Sequence, residues 1–165
     1  MIKKRYFLQS GAAMLLTTLI SDELFGSKNA IALTKDTFEI TKTEAQWRAI
    51  LTPEQFEVLR KSGTERPFSS PLDKQFGKGI YSCVGCKLPL FTSQTKFDSG
   101  TGWPSFYAPI KGAVGTTVDN SLFMSRIEVH CHRCGGHLGH VFDDGPKPTG
   151  KRYCMNGVVL KFTPG

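Results

Sequence analysis

The feature that most constrains this chain is a pair of Cys-x-x-Cys motifs that lie far apart in the sequence. The four cysteines are Cys83, Cys86, Cys131 and Cys134. Two such pairs supply the four thiolates of a closed, tetrahedral zinc site, in which the metal has no open coordination position. The sequence therefore predicts one structural zinc ion that joins two distant loops. Two disulfides or a dithiol redox centre are the alternatives; His132 or His137 as a ligand is disfavoured, because four sulfurs are already available.

A fifth cysteine, Cys154, remains outside these motifs. A lone cysteine is usually a buried structural residue, but the neighbours of this one favour reactivity. Arg152 lies two residues away, on the same face of a predicted strand, and a cation favours the reactive thiolate. His137 and His140 are able to supply or remove a proton near neutral pH. Their spacing of three does not fit strict strand alternation, so it predicts a bend or bulge. The combination indicates a thiol-based redox enzyme.

Residues 99 to 106 predict a loop that displays Trp103. Gly100 and Gly102 permit unusual backbone angles, and Pro104 fixes the following turn. Trp103 is either a core residue under this turn or the aromatic wall of a pocket for a small apolar group.

Length and composition predict one mainly β domain. The 165 residues include 17 Gly and 9 Pro, which favour many short strands over long helices. We expect small antiparallel sheets that form a sandwich or open barrel, with short helices at the N-terminal end. The net charge is +7 and is scattered along the chain, so nucleic-acid binding is only weakly indicated.

Two short helices are predicted to open the domain. The first spans 41–51, with a capping box between Thr41 and Glu44 and with Ala45, Trp47 and Ile50 as its apolar positions. The second has Thr52 as N-cap, Pro53 in the first turn, Gln55 closing a capping box and Gly63 as its end, and its core side chains are Phe56, Val58 and Leu59. Strands are predicted at 79–82, 88–91, 115–118, 122–130, 138–142 and 153–162.

Residues 1–32 have the three parts of a secretory signal peptide. A basic start, an apolar stretch at 11–20 and the Ala30-Ile31-Ala32 cleavage pattern follow one another. Lys4-Arg5 resembles a twin-arginine export motif with lysine in the first position. We therefore expect residues 33–165 to be exported to the periplasm or an equivalent compartment, without membrane insertion after cleavage. The alternative is a disordered or amphipathic leader on a cytosolic protein.

Several motifs together resemble the B-type methionine sulfoxide reductases, which act on the R epimer of the sulfoxide. The resemblance covers roughly residues 43–163, and its motifs are Thr64-Glu65-Arg66-Pro67-Phe68, Lys96-Phe97-Asp98-Ser99-Gly100 with Gly102-Trp103-Pro104-Ser105-Phe106, His137-Leu138-Gly139-His140-Val141-Phe142, Asp144-Gly145-Pro146 and Arg152-Tyr153-Cys154-x-Asn156. It implies a β-rich fold with two antiparallel sheets and a role in the repair of oxidised proteins.

The same resemblance implies a role for each site residue. Cys154 would be the nucleophile that becomes a sulfenic acid. Trp103 would receive the methyl group of the substrate, and Arg152 would help to stabilise the thiolate. Assistance at the sulfoxide oxygen would come from His137, His140 and Asn156.

The chain departs from the family at Thr101, where many members carry a resolving cysteine between the two glycines. The usual intramolecular disulfide is therefore not expected while the metal is bound. We expect an external thiol, either a small molecule or a thioredoxin-like protein, to recycle Cys154. We also expect a monomer that acts on oxidised proteins and binds no nucleic acid.

Two other functions fit parts of the sequence. A basic zinc-ribbon-like module would bind nucleic acid or a protein partner, but only Lys87 and Arg133 are basic within or next to the cysteine motifs. A thiol peroxidase would use Cys154 but would leave Trp103 unexplained. Comparing peroxide with methyl sulfoxide as oxidant separates the peroxidase from the reductase.

Overall fold

The computed structural model describes residues 38–121 and 124–165. These residues belong to one structural unit, Thr34–Gly165. The predicted signal peptide at 1–32 lies outside the described residues. Within the described ranges, no helix has both the length and the apolar character needed to cross a membrane.

Helix α1, Glu44–Arg48, is shorter than predicted and begins at a different cap. The prediction of Thr41 and Glu44 as its capping box is wrong, because Thr43 is the N-cap and Gln46 closes the box. Only Trp47 is buried in this helix, whereas Ile50 is 54% exposed and Ala45 also faces solvent. Just before the helix, the Ile40 N–H donates to the Arg133 carbonyl at 3.0 Å, and the Thr43 capping box then sets the start.

Helix α2, Pro53–Lys61, confirms its predicted cap and core positions. Thr52 and Gln55 form the capping box, and Pro53 occupies the first turn. Its buried residues are Phe56, Val58 and Leu59. The residue that ends the helix is Ser62, which adopts the left-handed conformation with φ of 55°, so the prediction of Gly63 is off by one. Gly63 follows and donates its N–H to the Glu57 carbonyl at 3.0 Å.

The described residues contain nine strands in two antiparallel sheets, which confirms the predicted fold class. The strands are β1 Gly79–Cys83, β2 Pro89–Thr92, β3 Lys96–Phe97, β4 Ser105–Phe106, β5 Val114–Asp119, β6 Arg126–Cys131, β7 His137–Phe142, β8 Arg152–Met155 and β9 Leu160–Pro164. The smaller sheet has the order β2-β1-β9, and the larger has the order β3-β4-β8-β7-β6-β5.

The strand predicted at 153–162 is two strands in two different sheets. A 3-10 turn at Gly157–Val159 separates β8 from β9 and carries the chain from the larger sheet to the smaller one. The Glu65 carboxylate accepts the N–H groups of Gly157 and Val158, at 2.5 and 2.8 Å, which fixes this turn. The strand predicted at 122–130 begins only at Arg126, and Leu122 and Phe123 lie outside the described residues.

The core lies between the two sheets and is aromatic. Phe91 of β2 stacks on Phe106 of β4, with ring centroids 4.3 Å apart. Tyr81 of β1 meets the same Phe106 edge to face at 4.9 Å. These side chains have no exposed surface, so they join the sheets by burying apolar area and by aromatic contact.

Candidate active site

Strand pairing in the larger sheet places Cys154 between polar residues of the two neighbouring strands. Its partner on β4 is Ser105, and its partner on β7 is His140. His140 is in turn opposite Glu128 on β6. Directly opposed residues in antiparallel strands share one face of the sheet. The fold therefore brings a thiol, an imidazole, a hydroxyl and a carboxylate to one face.

The bulge predicted between His137 and His140 is confirmed. The register of β6 against β7 shifts between Val129 and His130, so that Gly139 opposes Val129 while His137 opposes His130. One extra residue on β7 places both imidazoles within contact, with ring centroids 5.4 Å apart.

Each of these histidines has a carboxylate partner. His137 Nδ1 lies 2.6 Å from Glu128 Oε1, and His140 Nε2 lies 2.8 Å from Asp119 Oδ2. The Asp119 carboxylate also accepts hydrogen bonds from Arg126 Nη2, at 2.8 Å, and from the N–H of Ser121. Hydrogen bonds from Ser121, and after them the bond from His140, hold the pKa of Asp119 well below its usual range. Asp119 is therefore ionised at neutral pH.

Burial lowers the pKa of His140, although Asp119 opposes the shift. His140 is therefore neutral at pH 7. Because the Asp119 carboxylate only accepts, Nε2 carries the proton and Nδ1 is the unprotonated ring nitrogen. His140 is thus able to take one proton through Nδ1 and to hold it as an imidazolium beside Asp119.

Cys154 opens into a cavity of about 130 Å³. Trp103, Phe142, His140, Asn156 and Thr64 are among its walls. Four predicted site residues, Cys154, Trp103, His140 and Asn156, therefore meet at one cavity. His137 instead lines a larger neighbouring cavity of about 430 Å³, together with Glu128 and Ser121. Its Nε2 is buried and has no hydrogen-bond partner among the described residues.

The charge state of Cys154 is set by opposing effects. Burial raises the pKa of the Cys154 thiol, while the Arg152 guanidinium acts in the opposite direction and offsets only part of that rise. Arg152 donates Nε and Nη2 to the Asp144 carboxylate, both at 2.9 Å, and its guanidinium lies over the Phe142 ring. The expected cationic neighbour is present, but resting Cys154 is a thiol rather than a thiolate.

Glu65 connects two walls of the cavity, and sequence reasoning gave it no role. Its carbonyl accepts the Trp103 Nε1–H at 3.2 Å, and its own N–H donates to Asn156 Oδ1 at 2.9 Å. Asn156 Nδ2 donates to the Leu138 carbonyl at 3.1 Å. The amide of Asn156 is therefore engaged on both sides, and it orients the backbone around the cavity. Burial raises the pKa of the Glu65 carboxyl.

Asp119 and Glu128 were also missed. Asp119 and Asn120 lie between the strands predicted at 115–118 and 122–130, where an aspartate is an ordinary turn residue. Glu128 alternates with apolar residues along a strand, as an exposed polar residue would. The one available signal was the presence of two histidines without a partner, since a catalytic imidazole commonly has a carboxylate that orients it.

The four cysteines of the paired motifs form a cluster in which Cys86 is half-buried and the other three are buried. Their Sγ atoms all lie within 4.8 Å of one another. Cys83 Sγ is 3.8 Å from Cys134 Sγ, and Cys86 Sγ is 3.4 Å from Cys131 Sγ. Sulfurs bound to one zinc ion at about 2.3 Å in a tetrahedron lie about 3.8 Å apart. The cluster therefore has the geometry to bind a metal ion, and it has no disulfide.

Comparison with known proteins gives one consistent result. The family described as the SelR domain matches residues 51–164. A peptide methionine sulfoxide reductase MsrB of Methanosarcina mazei is 60% identical over 126 residues, covering 76% of this chain and 90% of that protein. Proteins of the same name from Pseudomonas putida and Agrobacterium fabrum are 57% and 54% identical over 127 residues, each covering 76% of this chain and respectively 96% and 94% of their own length. The chain belongs to the SelR-domain family of B-type methionine sulfoxide reductases.

Proposed function

We propose that this protein reduces the R epimer of methionine sulfoxide in oxidised proteins, with Cys154 as the nucleophile. The observation that carries the proposal is the half-buried Cys154 thiol at a small cavity walled by Trp103 and Phe142, with His140 beside it. A flat aromatic wall suits the S-methyl group, and the histidine suits the sulfoxide oxygen. Family membership supports the same reaction.

The reaction begins with removal of the Cys154 proton. Neutral His140 takes this proton at Nδ1, and Asp119 stabilises the imidazolium. The thiolate attacks the sulfoxide sulfur while the imidazolium protonates the sulfoxide oxygen. A bond between the two sulfurs forms as the sulfur–oxygen bond of the substrate breaks and hydroxide leaves. The hydroxide then attacks the Cys154 sulfur, which breaks the bond between the two sulfurs, releases methionine and leaves a sulfenic acid on Cys154. Methionine sulfur is reduced by two electrons, and the cysteine sulfur is oxidised by two.

The remaining site residues have supporting roles in this reaction. Trp103 receives the methyl group, and Arg152 partly offsets the effect of burial on the thiolate. Asn156 shapes the cavity through its two hydrogen bonds to backbone. His137 lines the neighbouring cavity and supports the His140 ring by contact, with the ring centroids 5.4 Å apart.

A turnover assay with separated sulfoxide epimers and dithiothreitol tests the proposal. The wild-type protein should reduce the R epimer and leave the S epimer unchanged. Cys154→Ser should abolish activity while retaining metal content and the folded circular-dichroism spectrum, because Cys154 lies outside the four-cysteine cluster. Activity in Cys154→Ser, or reduction of the S epimer alone, would refute the proposal.

We propose that the cysteine cluster holds one structural zinc ion. Four sulfurs fill the coordination sphere of zinc and leave no position for substrate, so the ion would stabilise the fold without taking part in the reaction. Elemental analysis of protein prepared without chelators should give one zinc per chain. Two disulfides in place of the metal would contradict this assignment.

We propose that an external thiol recycles Cys154. The sulfenic acid reacts with one thiol to give a mixed disulfide and water, and a second thiol releases Cys154. Thr101 occupies the position of the missing cysteine, and its Oγ1 lies 4.0 Å from Cys154 Sγ. Thr101→Cys should therefore form a disulfide with Cys154 and improve recycling by thioredoxin. Peptide mapping of singly oxidised wild-type protein that shows Cys154 bonded to a cluster cysteine would refute this route.

Export of residues 33–165 is also proposed, on the basis of the three-part leader at 1–32. A twin-arginine route would carry the folded domain, so that its cysteines bind metal before they meet an oxidising compartment. Fractionation of cells expressing the full chain should recover the shortened protein outside the cytoplasm. Replacement of Lys4-Arg5 by two glutamines should retain it inside.

A further inference from the structure

Three hydroxyl groups form a row between Cys154 and a backbone carbonyl. Thr101 Oγ1 lies 4.0 Å from Cys154 Sγ, and Ser99 Oγ lies 2.9 Å from Thr101 Oγ1. Ser105 Oγ is 2.8 Å from Ser99 Oγ and 3.1 Å from the carbonyl oxygen of Trp103. Ser105 is also the residue opposite Cys154 in the sheet, and it is completely buried.

The direction of this row follows from counting hydrogens. Each hydroxyl has one hydrogen to donate, and a carbonyl oxygen only accepts. When Ser105 donates to the Trp103 carbonyl, it must accept from Ser99. Ser99 then accepts from Thr101, and Thr101 has no hydrogen left for Cys154. Thr101 is therefore an acceptor at Cys154, and the partner that suits it is a thiol that donates its S–H.

A thiolate at Cys154 would cost the row one of its hydrogen bonds. A negative sulfur has no hydrogen to donate, so Thr101 would have to turn its hydrogen towards it and away from Ser99. If Ser99 and Ser105 turn as well, the bond that is lost is the one to the Trp103 carbonyl instead. The loss of a buried hydrogen bond opposes this change in either case.

We infer that Ser99 and Ser105 are positioning residues that hold the Thr101 hydroxyl as an acceptor and thereby keep resting Cys154 in its thiol form. This inference deepens the proposed function, since it assigns a control of the proposed nucleophile. The thiol form is the less reactive one towards peroxide, so the row protects the resting enzyme from oxidation without substrate. Removal of the proton by His140 ends this protection in each turnover.

The charged groups around Cys154 are separate from the row. Arg152 favours the thiolate and Asp144 opposes it, while Arg126 and His140 face the same cavity. All four remain when a serine of the row is changed. The direct effect of the hydroxyls on the titration of Cys154 is therefore open to measurement.

The experiment is the pH dependence of Cys154 alkylation by iodoacetamide in metal-replete protein, quantified on the peptide that contains Cys154. In Ser99→Ala and in Ser105→Ala, Thr101 has its hydrogen free to donate to sulfur. The midpoint of the pH profile of the alkylation rate should therefore move to lower pH. A shift of about one unit means a tenfold larger thiolate fraction below the midpoint, which becomes roughly a threefold faster rate because a less basic thiolate is less nucleophilic.

Two controls make the test specific. Ser93→Ala removes a hydroxyl outside the row, which accepts the N–H of Gly79, and it should leave the midpoint unchanged. Ser105→Ala made in a Thr101→Val background should also have no effect, because the row then no longer reaches Cys154. Near-ultraviolet circular dichroism and metal content monitor folding, and half-exposed Ser99 provides a second variant if the buried Ser105 position does not tolerate alanine.

A midpoint that stays at the wild-type value, or rises, in both Ser99→Ala and Ser105→Ala would overturn the inference, because Thr101 would then already donate to sulfur. An equal shift with and without the Thr101 hydroxyl would also overturn it. Alkylation needs no sulfoxide, so failure of the reductase assay and failure of this inference are distinct results.

Discussion

At the scale of single residues, the site depends on residues that take no part in the reaction themselves and instead hold the reacting side chains in place by hydrogen bonds. Glu65 binds Trp103 and Asn156 through its backbone and fixes the turn after Asn156 through its carboxylate. Asp119 sets the tautomer of His140. The geometry of a few reacting atoms thus rests on buried hydrogen bonds, each of which is costly to leave unmade.

Trp103 should act through its apolar surface more than through its hydrogen bond. Trp103→Ala removes the wall of the cavity and should lower kcat/KM for a sulfoxide peptide by about tenfold or more, as expected for the loss of a large apolar contact. Trp103→Phe keeps an aromatic wall and loses only the bond to the Glu65 carbonyl, so its loss should be smaller. Equal activity of the alanine variant and the wild type would show that Trp103 is structural only.

Replacement of Asp119 should change the titration of His140. The Asp119 carboxylate raises the pKa of His140 against the effect of burial, so Asp119→Asn should lower the pKa of His140 further. Less imidazolium would form at a given pH, and the acidic limb of the activity profile should move to lower pH with a lower plateau. Ring-proton NMR of His140 measures the shift directly. Asp143→Asn, at an exposed carboxylate paired with Lys151, is the matched control.

At the scale of elements, the close approach of β7 and β8 is what brings His140 beside Cys154. Gly139 makes this approach possible, because a Cβ at that position would lie 2.1 Å from the carbonyl oxygen of Cys154. The strand pair therefore needs a residue without a side chain next to the imidazole. The bulge on β7 and the glycine next to it together orient both histidine side chains.

Gly139→Ala should push β8 away from β7 and damage stability and activity together. Overpacking of this kind costs about 1 to 3 kcal/mol, and the site requires both strands in register. Urea unfolding and kcat measure the two effects. Gly112→Asn is the control, since Gly112 has a left-handed φ of 74° with open space around it, and asparagine tolerates that conformation. Wild-type stability in Gly139→Ala would contradict the steric argument.

The sequence predicted those elements whose causes are local. Helix α2 carries its cap, its proline and its apolar positions within a few residues. Helix α1 was misplaced because Thr41-x-x-Glu44 and Thr43-x-x-Gln46 satisfy the same capping pattern, and the hydrogen bond from Ile40 to distant Arg133 is not visible in the sequence. The break between β8 and β9 depends on the Glu65 carboxylate, which is 92 residues from Gly157 in the sequence. No sequence pattern near residue 157 indicates this break.

The residues of the candidate site also fall into those that local sequence predicts and those that it does not. Cys154 and Trp103 were predicted because a spare thiol and a glycine-flanked tryptophan are unusual in themselves. Asp119 and Glu65 were missed, because each lies in an ordinary turn or loop and gains its role only from strands that approach it in the folded chain.

At the scale of the whole molecule, the four-cysteine cluster joins the two sheets. Cys83 ends β1 of the smaller sheet, and Cys131 ends β6 of the larger one. Helix α2 packs beside both loops, where the Leu59 side chain fills the space that side chains at Gly85 and Gly136 would need. A bound metal ion would therefore act as a link between sheets, in addition to the aromatic core.

Removal of the proposed zinc ion should destabilise the whole domain. Structural zinc sites supply a large part of the folding free energy of small domains, so chelation should cost several kcal/mol. Thermal melts with and without a chelator measure this, and Cys83→Ser or Cys134→Ser should reproduce the chelated state. Cys154→Ser should melt like the untreated protein. Identical melts before and after chelation would show that the cluster does not support the fold through a metal.

The position of the cluster along the chain also has a consequence during synthesis. All four cluster cysteines precede Cys154, so a ribosome delivers a complete metal-binding set before the fifth cysteine emerges. Domains begin to fold from the N-terminal side while the chain is still growing. Metal capture at this stage would remove four thiols from exchange reactions before Cys154 appears. With metal bound in this order, the sequence of cysteines in the chain would lower the risk of mispairing with Cys154, the one thiol that must stay free.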